Sequence, residues 1–297
     1  MNIKYTIIKI LEKKDSRFVA LIEYKNKQAI YKKITTNNKN MIKKFINEIN
    51  ILTIINKSYI PRVYEYGDDY IIMEYIESYN NKLEVFVKYM NSSRINKISE
   101  QLIDLNTSFI KDIKPNKNNL LFDIYKTILK LWLNKYLKFF HLKALIILTI
   151  SYLKNKKLFN LPVITKGDFT EVNILINKKE IKFIDFDTYN SNGAWLQDAS
   201  YLLLHQDIEV RKLIWQKKFF KKYISDIDKK YIMLNNEYIR FWLLYTAINQ
   251  FSIRFFQNKH NLASIGQNEL IAKEEHILYF LDNNKFNIFL NEIGFKI

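Results

Sequence analysis

The sequence predicts an α+β fold in two lobes, a small β-rich lobe over residues 1–77 and a larger helical lobe over residues 78–297. Three observations lead there. Apolar residues alternate with period two through most of the first segment, interrupted by one helix-period run. The remainder carries mainly helix-period apolar faces. A single strand–turn–strand island, Val163–Asp187, breaks the helices. The polar stretch Glu77–Asn81 marks the boundary between the lobes.

In chain order, Tyr5–Leu11, Phe18–Tyr24 and Gln28–Ile34 read as strands, separated by turn residues at Lys13–Arg17 and Lys25–Lys27. Asn40–Asn56 places Ile42, Phe45, Ile46, Ile49 and Leu52 at helical spacing. Arg62–Tyr66 and Tyr70–Tyr75 follow as strands joined by Gly67-Asp68-Asp69. The order is β-β-β-α-β-β. Helices are expected over Leu83–Met90, Ile95–Ile110, Leu121–Lys138 and Leu142–Lys156. After the island they resume over Trp195–Leu204, Ile208–Ile224, Glu237–Gln257 and Gln267–Asn283.

Composition narrows the function classes. With 48% apolar and 15% aromatic residues the chain can bury a core, and 5 Gly and 3 Pro exclude collagen-like or linker-rich architectures. The 47 Lys and Arg outnumber 30 Asp and Glu, a net charge of +17 that favours an anionic partner. Nucleotide, phosphorylated glycan, anionic membrane surface and nucleic acid all meet that description. The heavy use of Ile, Lys, Asn, Phe and Tyr reads as genomic composition bias, so lysine number alone does not choose among them. The absence of Cys excludes disulfides and thiolate chemistry and fits a cytoplasmic protein.

The N-terminal residues carry charge too early for a signal peptide. The most apolar run, Ala144–Tyr152, is bracketed by Lys143 and Lys154 and falls well short of the roughly 20 residues that span a bilayer. It reads as a buried helix, with peripheral contact to an anionic membrane as the alternative. Aromatic and basic residues mix in WQKKFFKKY and RFWLLYTAINQFSIRFFQ, but the helical spacing of the aromatics points to core rather than nucleic-acid binding. His141, His205, His260 and His276 lack metal-ligand spacing and read as core or surface residues, with His205 the one best placed for an acceptor cleft. Asp207, Glu209 and Arg211 read either as substrate contacts or as the charged first turn of a helix.

The island, ITKGDFTEVNILINKKEIKFIDFDTYN, carries the chemistry. Asn173 stands five positions after Asp168, and a strand ending at Asp185 pairs back beside it. Phosphoryl transfer needs a carboxylate to orient the acceptor hydroxyl and take its proton. It also needs an amide oxygen and a second carboxylate to hold Mg²⁺. Asp168 suits the first role, Asn173 and Asp185 the second; Asp187 either supports the metal or caps the next turn. The plain alternative is a hairpin with capping Asp and turn Asn residues. A strand lysine and a helix glutamate should accompany such a site. Alternation puts Ala29, Tyr31 and Lys33 on one face, so Lys33 is paired with Glu48, with Lys32 as the fallback.

These segments resemble the aminoglycoside phosphotransferase and choline kinase superfamily, relatives of the protein kinases. KGDFTEVN is similar to that family's HGDxxxxN loop and FIDFD to its metal-binding strand. IIMEYIE resembles the inter-lobe hinge, which implies adenine hydrogen bonds from the backbone at Glu74 and Ile76. GAWLQDASYLLL resembles the segment in which an Asp, here Asp198, buttresses the catalytic loop. The resemblance covers most of residues 1–205 and implies a bilobal protein-kinase-like fold, ATP and Mg²⁺ as cofactors, and a small-molecule or glycan acceptor. The GDFT loop resembles kinase-like proteins of bacterial surface-glycan synthesis, including lipopolysaccharide-core sugar kinases, which implies an anionic acceptor.

Three departures stand out. Lys166 replaces the family's His, the KKDSR turn has no glycine to cradle phosphates, and Asp187 stands where relatives often carry Glu. A catalytically silent nucleotide-binding scaffold is the alternative function. A Ser/Thr protein kinase fits less well, because neither a Gly-rich loop nor an APE-like motif is present.

Overall fold

The computed structural model describes residues 4–78, 90–108, 120–161, 163–205, 214–259 and 267–295. The chain divides into two compact units, Met1–Tyr89 with Lys166–Asn190, and Met90–Thr165 with Ser191–Ile297. The island around Asn173, placed with the helical lobe by sequence, thus groups with the sheet. Its hairpin is tied there: Phe183 N–H donates to Tyr59 O at 2.8 Å, and Lys182 Nζ reaches Glu74 Oε2 at 2.9 Å.

In the first unit, β1 (Thr6–Lys14), β2 (Arg17–Tyr24), β3 (Lys27–Ile34), α1 (Lys39–Ile54), β4 (Val63–Tyr66) and β5 (Tyr70–Glu74) appear in the expected order. The strands form one antiparallel sheet, β1-β2-β3-β5-β4. Lys25 and Asn26 take positive φ in the two-residue β2–β3 turn, the conformation whose twist matches the strands. One sheet face buries Ala20, Ile22, Tyr24, Ala29, Tyr31 and Ile72, with Tyr5, Phe18 and Tyr70 ringed around Tyr31. α1 begins at Asn38, whose side chain accepts from Asn40 and Met41 N–H, and it buries Phe45, Ile49 and Leu52 together with Glu48.

After β6 (Val163–Thr165), the hairpin of β7 (Ile174–Ile176) and β8 (Ile181–Phe183) completes the first unit, with Asn177 turning the chain through bonds to Lys179 and Glu180 N–H. The remaining strand, β9 (Asn190–Gly193), pairs with β6. Sequence reading missed β9 because NSNG has no apolar alternation.

The second unit is helical: α2 (Ser92–Thr107), α3 (Leu120–Leu133), α4 (Phe139–Lys154), α5 (Lys156–Phe159), α6 (Gln197–Leu204), α7 (Ile214–Lys230), α8 (Asn236–Lys259), α9 (Gln267–Leu281) and α10 (Asn283–Glu292). α8 is its axis, burying Tyr238, Phe241, Trp242, Leu244, Ile248 and Phe251, so the aromatic-basic segment is core. Asn106 fixes β6 by donating to Ile164 O at 2.6 Å while accepting from the Tyr223 hydroxyl at 2.6 Å. The helix expected over Leu121–Lys138 stops at Leu133, because Lys135 adopts φ 57°. The one expected over Gln267–Asn283 splits at Asp282, whose carboxylate caps α10. Leu83–Tyr89 of one expected helix and residues 208–213 of another lie outside the described residues.

Candidate active site

The residues assigned to phosphoryl transfer all fall in the first unit. The chain enters the site through Gly167 at φ 90°, a conformation that favours glycine. A Cβ there would also meet Thr188 O at 2.4 Å, so a side chain is excluded on two grounds. Phe169 and Phe186, both fully buried, anchor the residues that follow the two key aspartates, with Phe169 edge-on to Phe183 at 5.1 Å. Between these anchors Asp168 and Asp185 stay half-buried. Asp185 itself sits at φ 61°, which Asp tolerates better than most side chains.

Asn173, at the end of a short 3₁₀ turn, donates its amide nitrogen to Asp168 O at 3.0 Å and Asp168 Oδ2 at 3.3 Å. Its amide oxygen is therefore the end available to a cation. Ile184 N–H donates to Asn173 O at 3.0 Å, which sets Asn173 beside the strand that delivers Asp185. Thr188 closes the ring, its hydroxyl accepting from Asp168 N–H at 2.9 Å and donating to Lys166 O at 3.2 Å.

The lysine assignment needs correction. Lys32, not Lys33, faces Glu48: Lys32 Nζ lies 2.5 Å from Glu48 Oε2 and 3.5 Å from Asp185 Oδ1. Lys33 turns to the other face and pairs with Asp69 at 3.2 Å in an exposed position. Alternation along β3 is as expected, but the face carrying Ala29 and Tyr31 is the aromatic one, and Ile30 and Lys32 share the face turned to α1. The carboxylates of Glu48 and Asp185 outweigh burial and raise the Lys32 pKa, so its ammonium is held charged.

Asp187 is a carboxylate whose charge is disfavoured. Burial, and then the charge of Asp185, raise its carboxyl above the ordinary range, opposed by Lys44, Lys32 and Lys166. A divalent cation would relieve the repulsion between Asp185 and Asp187, and with the amide oxygen of Asn173 these donors are of the type that fits Mg²⁺. Among the described residues no three His, Asp or Glu side chains are placed to hold a metal ion together, so the Asn173 amide and phosphate oxygens would have to complete the set around Asp185 and Asp187.

Two cations that sequence reasoning passed over line a cavity of about 310 Å³ beside Lys32, Glu48 and Asp187: Arg17 at the start of β2 and Lys44 on α1. Lys44 stands one helical turn before Glu48, a spacing that could have revealed it. Lys166 is fully buried and donates to Asp168 O and Asp185 O, each at 2.8 Å, with its Nζ 5.5 Å from the Phe186 ring centre. Lys166, which stands where the HGDxxxxN loop has His, thus joins the loops that carry Asp168 and Asp185.

The hinge residues are placed less simply. Glu74 N–H donates to Arg62 O at 2.8 Å, which leaves its carbonyl as the backbone group for the adenine contact the resemblance implies. Burial acts to raise the Glu74 carboxyl, but Lys182 and the Arg62 N–H hold it below its ordinary value. Ile76 is buried just beyond β5.

In the second unit, Asp198 is buried in the first turn of α6 and His205 stacks on Tyr201 at 6.3 Å. His141 is buried against Phe251, and burial lowers its pKa to about 4. His276 is also buried. His260, Asp207, Glu209 and Arg211 lie outside the described residues.

No protein-family model and no curated protein matches the sequence. Solved structures do match the fold. The GDP complex of a mutant aminoglycoside 2'-phosphotransferase-IIIa superposes with TM-score 0.65 at 14% identity, over 94% of this chain and 93% of that one. ADP-bound aminoglycoside phosphotransferase APH(2'')-Ib gives 0.58 at 19% identity, over 96% and 94%. A choline/ethanolamine kinase family protein from Mesorhizobium loti gives 0.63 at 11% identity, over 97% and 92%. The chain has the α+β fold shared by the aminoglycoside phosphotransferases and the choline and ethanolamine kinases.

Proposed function

We propose that this chain is a phosphotransferase that moves the γ-phosphate of ATP to a hydroxyl of a sugar, glycan or small alcohol. The observation that carries this reading is the convergence, in one compact unit, of Asp168, Asn173 and Asp185 with a Lys32–Glu48 pair whose lysine also reaches Asp185. Structural neighbours with ADP or GDP bound support it.

Lys32, braced by Glu48, holds the α- and β-phosphates, with Arg17 and Lys44 taking the place of a glycine-rich loop at the phosphate end. Asp168 orients the acceptor hydroxyl and takes its proton as the new oxygen–phosphorus bond forms. The bond between the γ-phosphorus and the bridging oxygen breaks, and ADP leaves with the electron pair. Asn173, Asp185 and Asp187 would hold Mg²⁺, which when bound neutralises charge on the phosphates. A net charge of +17 suits an acceptor that already carries phosphate, such as a lipopolysaccharide-core glycan.

The test supplies γ-labelled ATP to the protein with separate pools of aminoglycosides, choline-like alcohols and phosphorylated glycans, beside Asp168→Asn. Label is expected in one non-protein pool, reduced about a hundredfold or more by the substitution. Label equal in both proteins, or in none of the pools, would leave a nucleotide-binding scaffold as the better account.

A further inference from the structure

Two helices of the second unit turn a second apolar face outward. On α3 the residues Leu120, Ile124, Ile128 and Leu131 are buried, while Phe122, Tyr125, Leu129, Trp132 and Leu133 are exposed. On α4 the buried line runs through His141, Ala144, Leu148 and Ser151, while Phe139, Leu142, Ile146, Ile150 and Leu153 are exposed. Spacings of three and four residues gather each exposed set into a stripe along its helix. The stripes adjoin, because the Tyr125 hydroxyl lies 3.4 Å from Thr149 Oγ1 across the helix pair. Trp132 is 59% and Phe139 82% exposed, large apolar areas to leave in water without a use.

The charge of the segment that forms this face is almost all positive, with acids supplied by neighbouring helices. Between Leu120 and Asn160 there are eight lysines and a single acid, Asp123. Lys126 and Lys130 run beside the apolar stripe of α3, and Lys143 and Lys154 beside that of α4. Lys154 and Lys138 bridge to Glu237 and Glu274 and Lys130 lies 6.0 Å from the Phe256 ring centre, whereas Lys126 and Lys143 are exposed.

We propose that the α3–α4 face docks this chain on the surface of an anionic lipid bilayer. Aliphatic and aromatic side chains flanked by lysines suit the boundary between acyl chains and acidic headgroups. A second copy of this chain would bring like charge against like, and a polynucleotide would leave Leu129, Ile146 and Ile150 without a partner. The contact is in-plane rather than spanning. α4 has 16 residues, about 24 Å of helix against a hydrocarbon core of about 30 Å. No helix among the described residues is long and apolar enough to cross a membrane.

The test is flotation of the full chain with vesicles of phosphatidylcholine alone, and with about 30% phosphatidylglycerol to supply the negative surface potential. Binding to the anionic vesicles alone is expected, weakening severalfold as salt rises from about 0.1 to 0.5 M. The double variant Trp132→Ser/Phe139→Ser, with its fold checked by circular dichroism, should lose about tenfold or more in partitioning. No binding to anionic vesicles would overturn the proposal. So would binding that the double variant leaves unchanged, since attraction would then be electrostatic without use of the apolar face. A wild-type dimer in sedimentation, dissociated by the same substitutions, would place a second copy there instead and equally refute membrane docking.

Discussion

Two buried lysines in the first unit illustrate different uses of the same side chain. Lys32, on a strand, meets the carboxylates of Glu48 and Asp185. Lys166, in a loop, donates to the backbone carbonyls of Asp168 and Asp185. A carboxylate partner leaves a cation that can be shared with phosphate, because charge can be redistributed among Glu48, Asp185 and a ligand. Carbonyl partners instead fix where two pieces of backbone lie. In the proposed function Lys32 acts on the nucleotide, while Lys166 holds together the loops of Asp168 and Asp185.

Substitutions should separate these uses. The largest effect is expected from Lys32→Met, which should lower kcat/KM for ATP by about a hundred- to a thousandfold. Lys33→Met removes only an exposed pair with Asp69 and should stay within about threefold of wild type. Lys166→Met should act on stability, by about 2–4 kcal/mol in denaturant unfolding, because two buried carbonyls lose their donor. Lys166→His, which introduces the residue of the HGDxxxxN loop that the sequence resembles, should recover part of that loss. If Lys166→Met left stability intact and changed only ATP affinity, the distinction between the two lysines would fail.

Asp187 feels both lysines and offers a smaller, pH-dependent test. Its raised carboxyl pKa means that the folded chain binds this proton more tightly than the unfolded chain does. Stability from this group is therefore fully present below the unfolded value and declines as pH rises through the folded one. Without Mg²⁺ at neutral pH, Asp187→Asn should raise the melting temperature. Added Mg²⁺ with ATP should raise it in wild type more than in the variant. A modest effect, larger only than that of Lys33→Met, is expected from Arg17→Met and Lys44→Met, each raising the KM for ATP about three- to tenfold if they line the phosphate end.

The order of elements along the chain was legible because alternation and turn residues repeat through β1–β5, and the helix of Glu48 because its apolar residues keep helical spacing. Alternation also separated Lys32 from Lys33, but could not say which face of β3 would look toward α1. The more apolar face proved to be the aromatic cluster around Tyr31. Asp168, Asn173 and Asp185 were legible as a spaced set. The role of Lys166 was not, since its partners are carbonyls brought together only by the folded hairpin. The α3–α4 face was only half legible, since peripheral membrane contact stood as no more than an alternative for Ala144–Tyr152. An apolar helix residue reads as core until a buried stripe and an exposed stripe are seen on the same helix.

The most direct measurement is calorimetric binding of Mg·ATP to wild type, Lys32→Met and Lys33→Met under the same conditions. Affinity should fall about tenfold or more in Lys32→Met and stay near wild type in Lys33→Met. Loss in Lys33→Met with Lys32→Met unaffected, or wild-type affinity in both, would contradict a nucleotide site built on Lys32, Glu48 and Asp185.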